Sequence, residues 1–64
     1  MKAMVAYKGK YILAEQDKRG MGTEADLVLY KGATEIYRSS HPKYRNVDEL
    51  RVRTVKTLEG MKNV

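Results

Sequence analysis

Tyrosine side chains are interleaved with lysine and arginine side chains in three parts of the sequence. Aromatic rings stack on nucleobases and cations neutralise phosphates, and several single-strand-binding proteins carry both on a sheet surface. We therefore predict a nucleic-acid-binding surface built from nine of these residues. They are Lys8, Lys10 and Tyr11 near a first glycine, Lys31, Tyr37 and Arg38 around a second, and Lys43, Tyr44 and Arg45 beyond them.

The same residues also have an ordinary structural explanation. Tyrosine is common in β-strands, and lysine on an edge strand discourages aggregation. The sequence contains no RNA-binding consensus that would decide between the two. The alternative prediction is therefore a protein-interaction or regulatory module, in which the positive charge serves solubility.

A catalytic site is the weakest of the functional hypotheses. His41 could act as a general base beside neighbouring cations, as in a small ribonuclease. Ser39, Ser40 and Asp48 could be combined with it into a triad, but closeness in sequence does not establish the geometry that catalysis needs. We therefore expect a binding protein and not an enzyme.

Metal and cofactor sites find little support in the residue types. The chain has no cysteine and one histidine, which removes disulfides and thiolate zinc sites. The carboxylates Asp17, Glu24 and Asp26 match no calcium or magnesium motif. The Gly-Met-Gly at residues 20–22 lacks the third glycine and the βαβ context of a dinucleotide fingerprint. We expect no metal and no cofactor.

Length and charge bound the remaining possibilities. The 64 residues suggest one domain spanning 1–64, with 13 Lys and Arg against 8 Asp and Glu and a net charge of +5. A domain of this size has a thin core and relies on good packing or oligomerisation. The apolar start breaks at Lys8, too early for a signal peptide, and no run approaches a membrane span. We expect a cytoplasmic protein that does not enter a membrane.

Two hairpins are predicted by an internal repeat. Residues 5–9 (Val-Ala-Tyr-Lys-Gly) recur as residues 28–32 (Val-Leu-Tyr-Lys-Gly), each between two apolar runs. The repeat reflects either duplication or two independent turns. A type I turn with glycine in the left-handed conformation suits Lys-Gly better than a type I′ turn, which also needs a positive φ at lysine. A loop over 17–24 and a connector over 39–45 are expected to join the elements.

The last segment has two interpretations. Asn46 can cap a helix that starts at Val47, and the apolar spacing that follows continues to Met61. The β-branched residues between positions 50 and 57 instead favour a fifth strand. We predict an α+β fold, in which two antiparallel hairpins form a four-stranded sheet followed by a C-terminal helix. The alternative is an all-β, five-stranded small barrel.

The third strand predicts an interface. Leu27 and Leu29 point to one face of the sheet, while Val28 and Tyr30 point to the other. Strands that are apolar on both sides are typical of sheets buried on both faces, and one helix covers only one face. We therefore expect a second copy of the chain, a partner or single-stranded nucleic acid on the other face, with a homodimer preferred. Val52, on the outer side of the predicted helix, adds to this expectation.

Overall fold

The computed structural model describes residues 1–18 and 24–61. Four strands form one open antiparallel sheet in the order β1-β2-β3-β4, and a helix follows them. The predicted α+β fold is confirmed, and the five-stranded barrel is wrong because the last segment is helical. The elements are β1 Lys2–Tyr7, β2 Lys10–Lys18, β3 Glu24–Lys31, β4 Thr34–Pro42 and α1 Val47–Glu59.

Local capping explains why the last segment folds as a helix. The Asn46 side chain accepts a hydrogen bond from the Glu49 N–H at 3.0 Å, as the sequence predicts. The Glu49 carboxylate in turn accepts the Arg45 N–H at 2.8 Å, which resembles a capping box shifted by one residue. The predicted apolar spacing also holds, because the buried side of α1 consists of Leu50, Thr54 and Leu58. These terms outweigh the strand preference of the β-branched residues, of which Thr54 itself faces the core.

The core lies between α1 and one face of the sheet, which we call the covered face. The helix packs mainly against β1 and β2. Tyr37 and Tyr44 are partly buried against the same core. Burial of this apolar surface supplies most of the free energy that holds helix and sheet together. The core cluster consists of Ala3, Ile12, Ala14, Leu27, Leu29, Leu50 and Leu58.

The first hairpin turn differs from the prediction. Tyr7 pairs with Lys10, and the two residues between them both have positive φ, 49° at Lys8 and 76° at Gly9. This is the pattern of a type I′ turn, so the expected type I turn is wrong. A primed turn matches the right-handed twist of the flanking strands, and that match outweighs the unfavourable φ at the lysine.

The second hairpin uses its glycine differently. Lys31 pairs with Thr34, so Gly32 is the first loop residue, with a φ of 62°, where a type II′ turn takes glycine. The repeated Tyr-Lys-Gly is therefore shifted by one position relative to the turn. The shift also puts Tyr7 on the covered face and Tyr30 on the opposite face. The repeat thus reflects two separate uses of glycine in a turn.

The strands extend further than the sequence predicts. Residues 39–42 belong to β4 and not to the expected connector, because β3 continues to Glu24 and pairs with β4 as far as Pro42. Proline is tolerated there since β4 is an edge strand and its missing N–H removes no bond from the ladder. The loop expected over 17–24 also loses residues at both ends, because 17 and 18 belong to β2 and 24 belongs to β3. Its residues 19–23, with the Gly-Met-Gly, lie outside the described residues.

Candidate functional site

The nine predicted binding residues do not share one surface. Both hairpins turn at the same end of the sheet, which we call the turn end, because β1 and β3 run in the same direction. Four of the nine lie there, and three follow β4 at the opposite end. Arg38 and Tyr37 lie between the two ends, on opposite faces of β4. The turn-end members are Lys8, Lys10, Tyr11 and Lys31.

Three lysines converge at the turn end and form what we call the lysine cluster: Lys8, Lys10 and Lys31. Lys10 follows the first turn, and Lys31 is its diagonal neighbour on the covered face of β3, since Lys31 pairs with Ile12. Repulsion from the Lys31 ammonium group, and less strongly from Lys8, lowers the pKa of Lys10. Among the described residues, none of the three lysines forms an ion pair. The cluster therefore carries uncompensated positive charge.

Aromatic side chains border the lysine cluster. The Lys8 ammonium nitrogen lies 5.4 Å from the centroid of the Tyr7 ring, within the range of a cation–π contact. Tyr11 follows Lys10 directly and points to the other face of the sheet, where 72% of it is exposed. A chain that crosses the turn end can therefore meet cations on one side and an open aromatic ring on the other.

Arg38 is held by acidic partners of the same chain. Its guanidinium donates to Asp26 Oδ2 at 2.9 Å and to Glu35 Oε1 at 3.0 Å. Hydrogen bonds from Glu35 and then from Asp26 raise the pKa of Arg38. Because both carboxylates compete with any phosphate, Arg38 is a structural cation in this arrangement.

Tyr37 contributes to packing on the covered face. It is partly buried against the core, and its hydroxyl lies 3.2 Å from His41 Nε2. Burial, together with the positive charge of Arg53, lowers the pKa of His41. Both effects favour the neutral imidazole, and Tyr37 offers no free ring face of the kind that Tyr11 offers.

Tyr44 packs against the core near the end of the sheet opposite the hairpin turns. Its backbone N–H donates to Gln16 Oε1 at 2.7 Å, and its ring packs against the core cluster. Burial raises the pKa of Tyr44, an effect that the nearby Arg53 guanidinium opposes. Its neighbours Lys43 and Arg45 lie at the end of the sheet opposite the lysine cluster. These three residues are therefore separate from the turn-end site.

The face of the sheet away from α1, which we call the open face, is acidic, in contrast to the basic lysine cluster. Its pattern follows from the register, because directly paired residues point to the same side. Among the side chains that the structure describes, this face carries two cations and four carboxylates, whereas the whole chain carries +5. Both cations are already paired, Lys2 with Glu15 at 3.7 Å and Arg38 as described above. The four carboxylates are Glu15, Asp17, Asp26 and Glu35.

An apolar row crosses the open face. Met4 pairs with Leu13, and Leu13 pairs with Tyr30, so three apolar side chains lie side by side on β1, β2 and β3. Met4 is 52% exposed, and Leu13 and Tyr30 are partly exposed. We call these three residues the apolar row. The sequence-based prediction that the second face of the sheet is apolar is confirmed at these positions.

Sequence reasoning missed the Glu35–Arg38–Asp26 network. The three-residue spacing of Glu35 and Arg38 would place them on opposite faces of a regular strand. A register shift at Leu29/Tyr30 inserts Ile36 as an extra residue and brings both side chains to the open face. Nothing in the sequence marks this bulge.

Comparisons with known proteins give no indication of what the chain does. No family model, no curated protein and no solved structure matches it. Within residues 1–18 and 24–61, no three side chains of metal-binding type gather as a metal site requires. The helix of that part of the chain is neither long nor apolar enough to span a bilayer. Any functional proposal therefore rests on the surfaces described above.

Proposed function

We propose that the protein is a small binding module that contacts single-stranded nucleic acid through its turn end. The lysine cluster supports this proposal most strongly, because its three ammonium groups repel one another and none forms an ion pair with a carboxylate in the described part of the chain. A phosphate backbone would remove that repulsion, and the exposed ring of Tyr11 offers a surface on which a base can stack. The absence of cysteine agrees with the cytoplasmic location expected of such a protein.

The proposed site is smaller than the one predicted from the sequence. It keeps Lys8, Lys10, Tyr11 and Lys31, and it adds Tyr7 as the ring that orients Lys8. Arg38, Tyr37 and Tyr44 are engaged within the fold, and the remaining two cations lie too far along the sheet to join it. The proposal contains no catalytic step.

Salt dependence tests the phosphate contacts. If the three lysines neutralise about three phosphates, the log–log slope of affinity against salt is roughly −2 for a single strand. Affinity for a labelled oligothymidine would then fall about fifteenfold between about 50 and 200 mM salt. Fluorescence anisotropy at several salt concentrations measures this slope. A slope near zero contradicts the proposal.

A matched pair of triple variants locates the contacts. The site variant carries Lys8→Asn, Lys10→Gln and Lys31→Gln, with asparagine at position 8 because it tolerates positive φ. The control carries Lys43→Gln, Arg45→Gln and Lys56→Gln, which removes the same charge from other parts of the surface. We expect the site variant to lose about tenfold or more in affinity and most of the slope. Equal losses in both variants would show that only net charge matters.

The stacking role of Tyr11 has its own test. Replacing Tyr11 with serine removes an exposed ring, so stability changes little, while affinity falls by about tenfold if a base stacks there. The salt slope stays unchanged because no cation is removed. An affinity unaffected by Tyr11→Ser would restrict the site to phosphate contacts.

The protein-interaction alternative rests on a different surface, the open face. A homodimer through this face remains a prediction from the sequence. Two open faces brought together would oppose the carboxylates of one copy to those of the other, while Lys2 and Arg38 of each copy are already engaged. Sedimentation over a range of concentrations tests the dimer directly.

A further inference from the structure

We infer that the open face is a docking surface for a basic amphipathic helix of a partner protein. The proposal concerns a surface separate from the lysine cluster and does not depend on nucleic-acid binding, although Tyr11 of the proposed nucleic-acid site lies on the same face as Leu13. Three features carry it: the exposed apolar row, the carboxylates around that row, and the way in which the molecule already uses a helix on its other face.

The apolar row provides the contact area. Met4, Leu13 and Tyr30 lie in register across three adjacent strands, and Val28, two residues from Tyr30 on the same face, has no exposed surface. Side chains from a partner helix would bury the exposed parts of Met4 and Tyr30, and burial of apolar surface is the main driving force of such contacts.

The charges around the row select the partner. Glu15 and Asp17 follow Leu13 along β2 on the same face, and Glu35 lies beyond Tyr30 on β4. Among the described residues, Asp17 forms no ion pair, and Glu15 has a single pairing to the exposed Lys2 at 3.7 Å. A partner with lysine or arginine beside its apolar stripe would complement these carboxylates. The acidic surface is distinctive because the chain as a whole is basic.

The covered face shows that a helix fits this sheet. Helix α1 packs across β1 and β2 with a narrow stripe of Leu50, Thr54 and Leu58. A second helix on the open face would bury the apolar row in the same way that α1 buries the apolar residues of the covered face. A basic helix is therefore the occupant that matches both the shape and the charge of the open face.

Designed peptides test the proposal without a known partner. The probe is a peptide of about 18 residues, roughly 27 Å as a helix, with leucine on one side and lysine on the other. Its counterpart replaces lysine with glutamate, and a scrambled leucine–lysine peptide has no amphipathic side. Because the protein carries +5, non-specific attraction favours the glutamate peptide. Binding of the lysine peptide to the open face therefore requires local recognition.

The readout is a map of amide chemical shifts in the labelled protein. We expect the lysine peptide to shift the amides of Met4, Leu13 and Tyr30, and the scrambled peptide to leave them unchanged. Equal shifts of these amides with the glutamate peptide, or shifts confined to other surfaces, overturn the proposal. Shifts of the same amides with increasing concentration of the protein alone also overturn it, because a second copy of the chain would then be the occupant.

Matched variants separate charge recognition from general stickiness. Glu15→Gln with Asp17→Asn removes two carboxylates from the open face, while Asp48→Asn with Glu59→Gln removes two from α1. We expect about fivefold weaker binding of the lysine peptide to the first variant, since each exposed ion pair contributes modestly. The second variant keeps the original affinity if the proposal holds. Equal weakening in both variants contradicts it.

An apolar control completes the design. Met4→Thr removes an exposed apolar side chain from the apolar row, and Val52→Thr removes a similarly exposed one, 56% against 52%, from the outer side of α1. Loss of peptide binding in the first and retention in the second supports the proposed surface. The reverse order would assign the peptide to the helix and overturn it.

Discussion

The two faces of the sheet are built from the same strands but carry different chemistry. On the covered face, small and branched side chains pack against α1, and Lys10 and Lys31 lie exposed at the turn end. On the open face, a row of partly exposed apolar residues is bordered by carboxylates. Strand alternation assigns every residue to one of these faces, so one short chain holds a basic end and an acidic side. The net charge of this small protein therefore does not describe its individual surfaces.

Substitutions on the two faces should differ most in the unfolding free energy that they remove. Leu50 has no exposed surface, and Leu50→Ala removes core contacts and leaves a cavity, which costs about 2–5 kcal/mol of unfolding free energy. Met4→Ala on the open face costs less than about 1 kcal/mol, since half of Met4 is already in water. Urea denaturation measures both. Similar losses would mean that the open face is also part of a closed core.

A second stability test concerns charge on the open face. Arg38→Ala removes the guanidinium that donates to Asp26, a carboxylate with only 6% of its side chain exposed. We expect a loss of about 1–3 kcal/mol in unfolding free energy. Lys2→Ala, which breaks the looser pair with Glu15, costs about 0–1 kcal/mol. The same denaturation experiment compares the two variants. A negligible effect of Arg38→Ala would show that Arg38 contributes little to stability and is available for a ligand.

The smallest effect is a pH dependence that belongs to the covered face. The pKa of His41 is lower in the folded protein than its ordinary value of 6.5. The unfolded chain therefore binds the proton more readily, and stability falls as the pH drops below about 6.5 towards the folded pKa. Above that range the imidazole is neutral in both states and contributes no slope.

Thermal unfolding at about pH 7.5 and about pH 5.5 measures this contribution. The His41→Gln variant serves as the control, since it keeps a polar side chain beside Tyr37 but does not titrate. We expect the wild-type protein to lose more stability between the two pH values than the variant loses. Identical losses would show that other groups cause the pH dependence.

Much of the fold follows from patterns visible in the sequence. The N-cap at Asn46 and the spacing of Leu50, Thr54 and Leu58 favour α1 over the alternative fifth strand, and alternation in β3 predicts a sheet that is apolar on both sides. These features depend on local periodicity. The type I′ turn at Lys8 was missed because strand twist, a property of the paired hairpin, decided against the preference of a single residue.

The candidate site was harder to predict because it depends on register. Lys31 approaches Lys10 only because β2 and β3 pair with Ile12 opposite Lys31. The role of Arg38 depends on a bulge that no local pattern reveals. The sequence therefore suggested residues of a suitable type, while long-range pairing determined which of them meet.

One titration with two probes tests whether the lysine cluster and the apolar row are separate surfaces with different ligands. Oligothymidine and the leucine–lysine peptide would be added in turn to the labelled protein, and amide shifts recorded. Because the oligonucleotide and the lysine peptide have opposite charges and attract each other, each is first titrated alone. We predict that the oligonucleotide shifts the amides of Lys8, Lys10 and Lys31, and that the peptide shifts those of Met4, Leu13 and Tyr30. Overlapping shifts, or no shifts at either set of residues, would contradict the account.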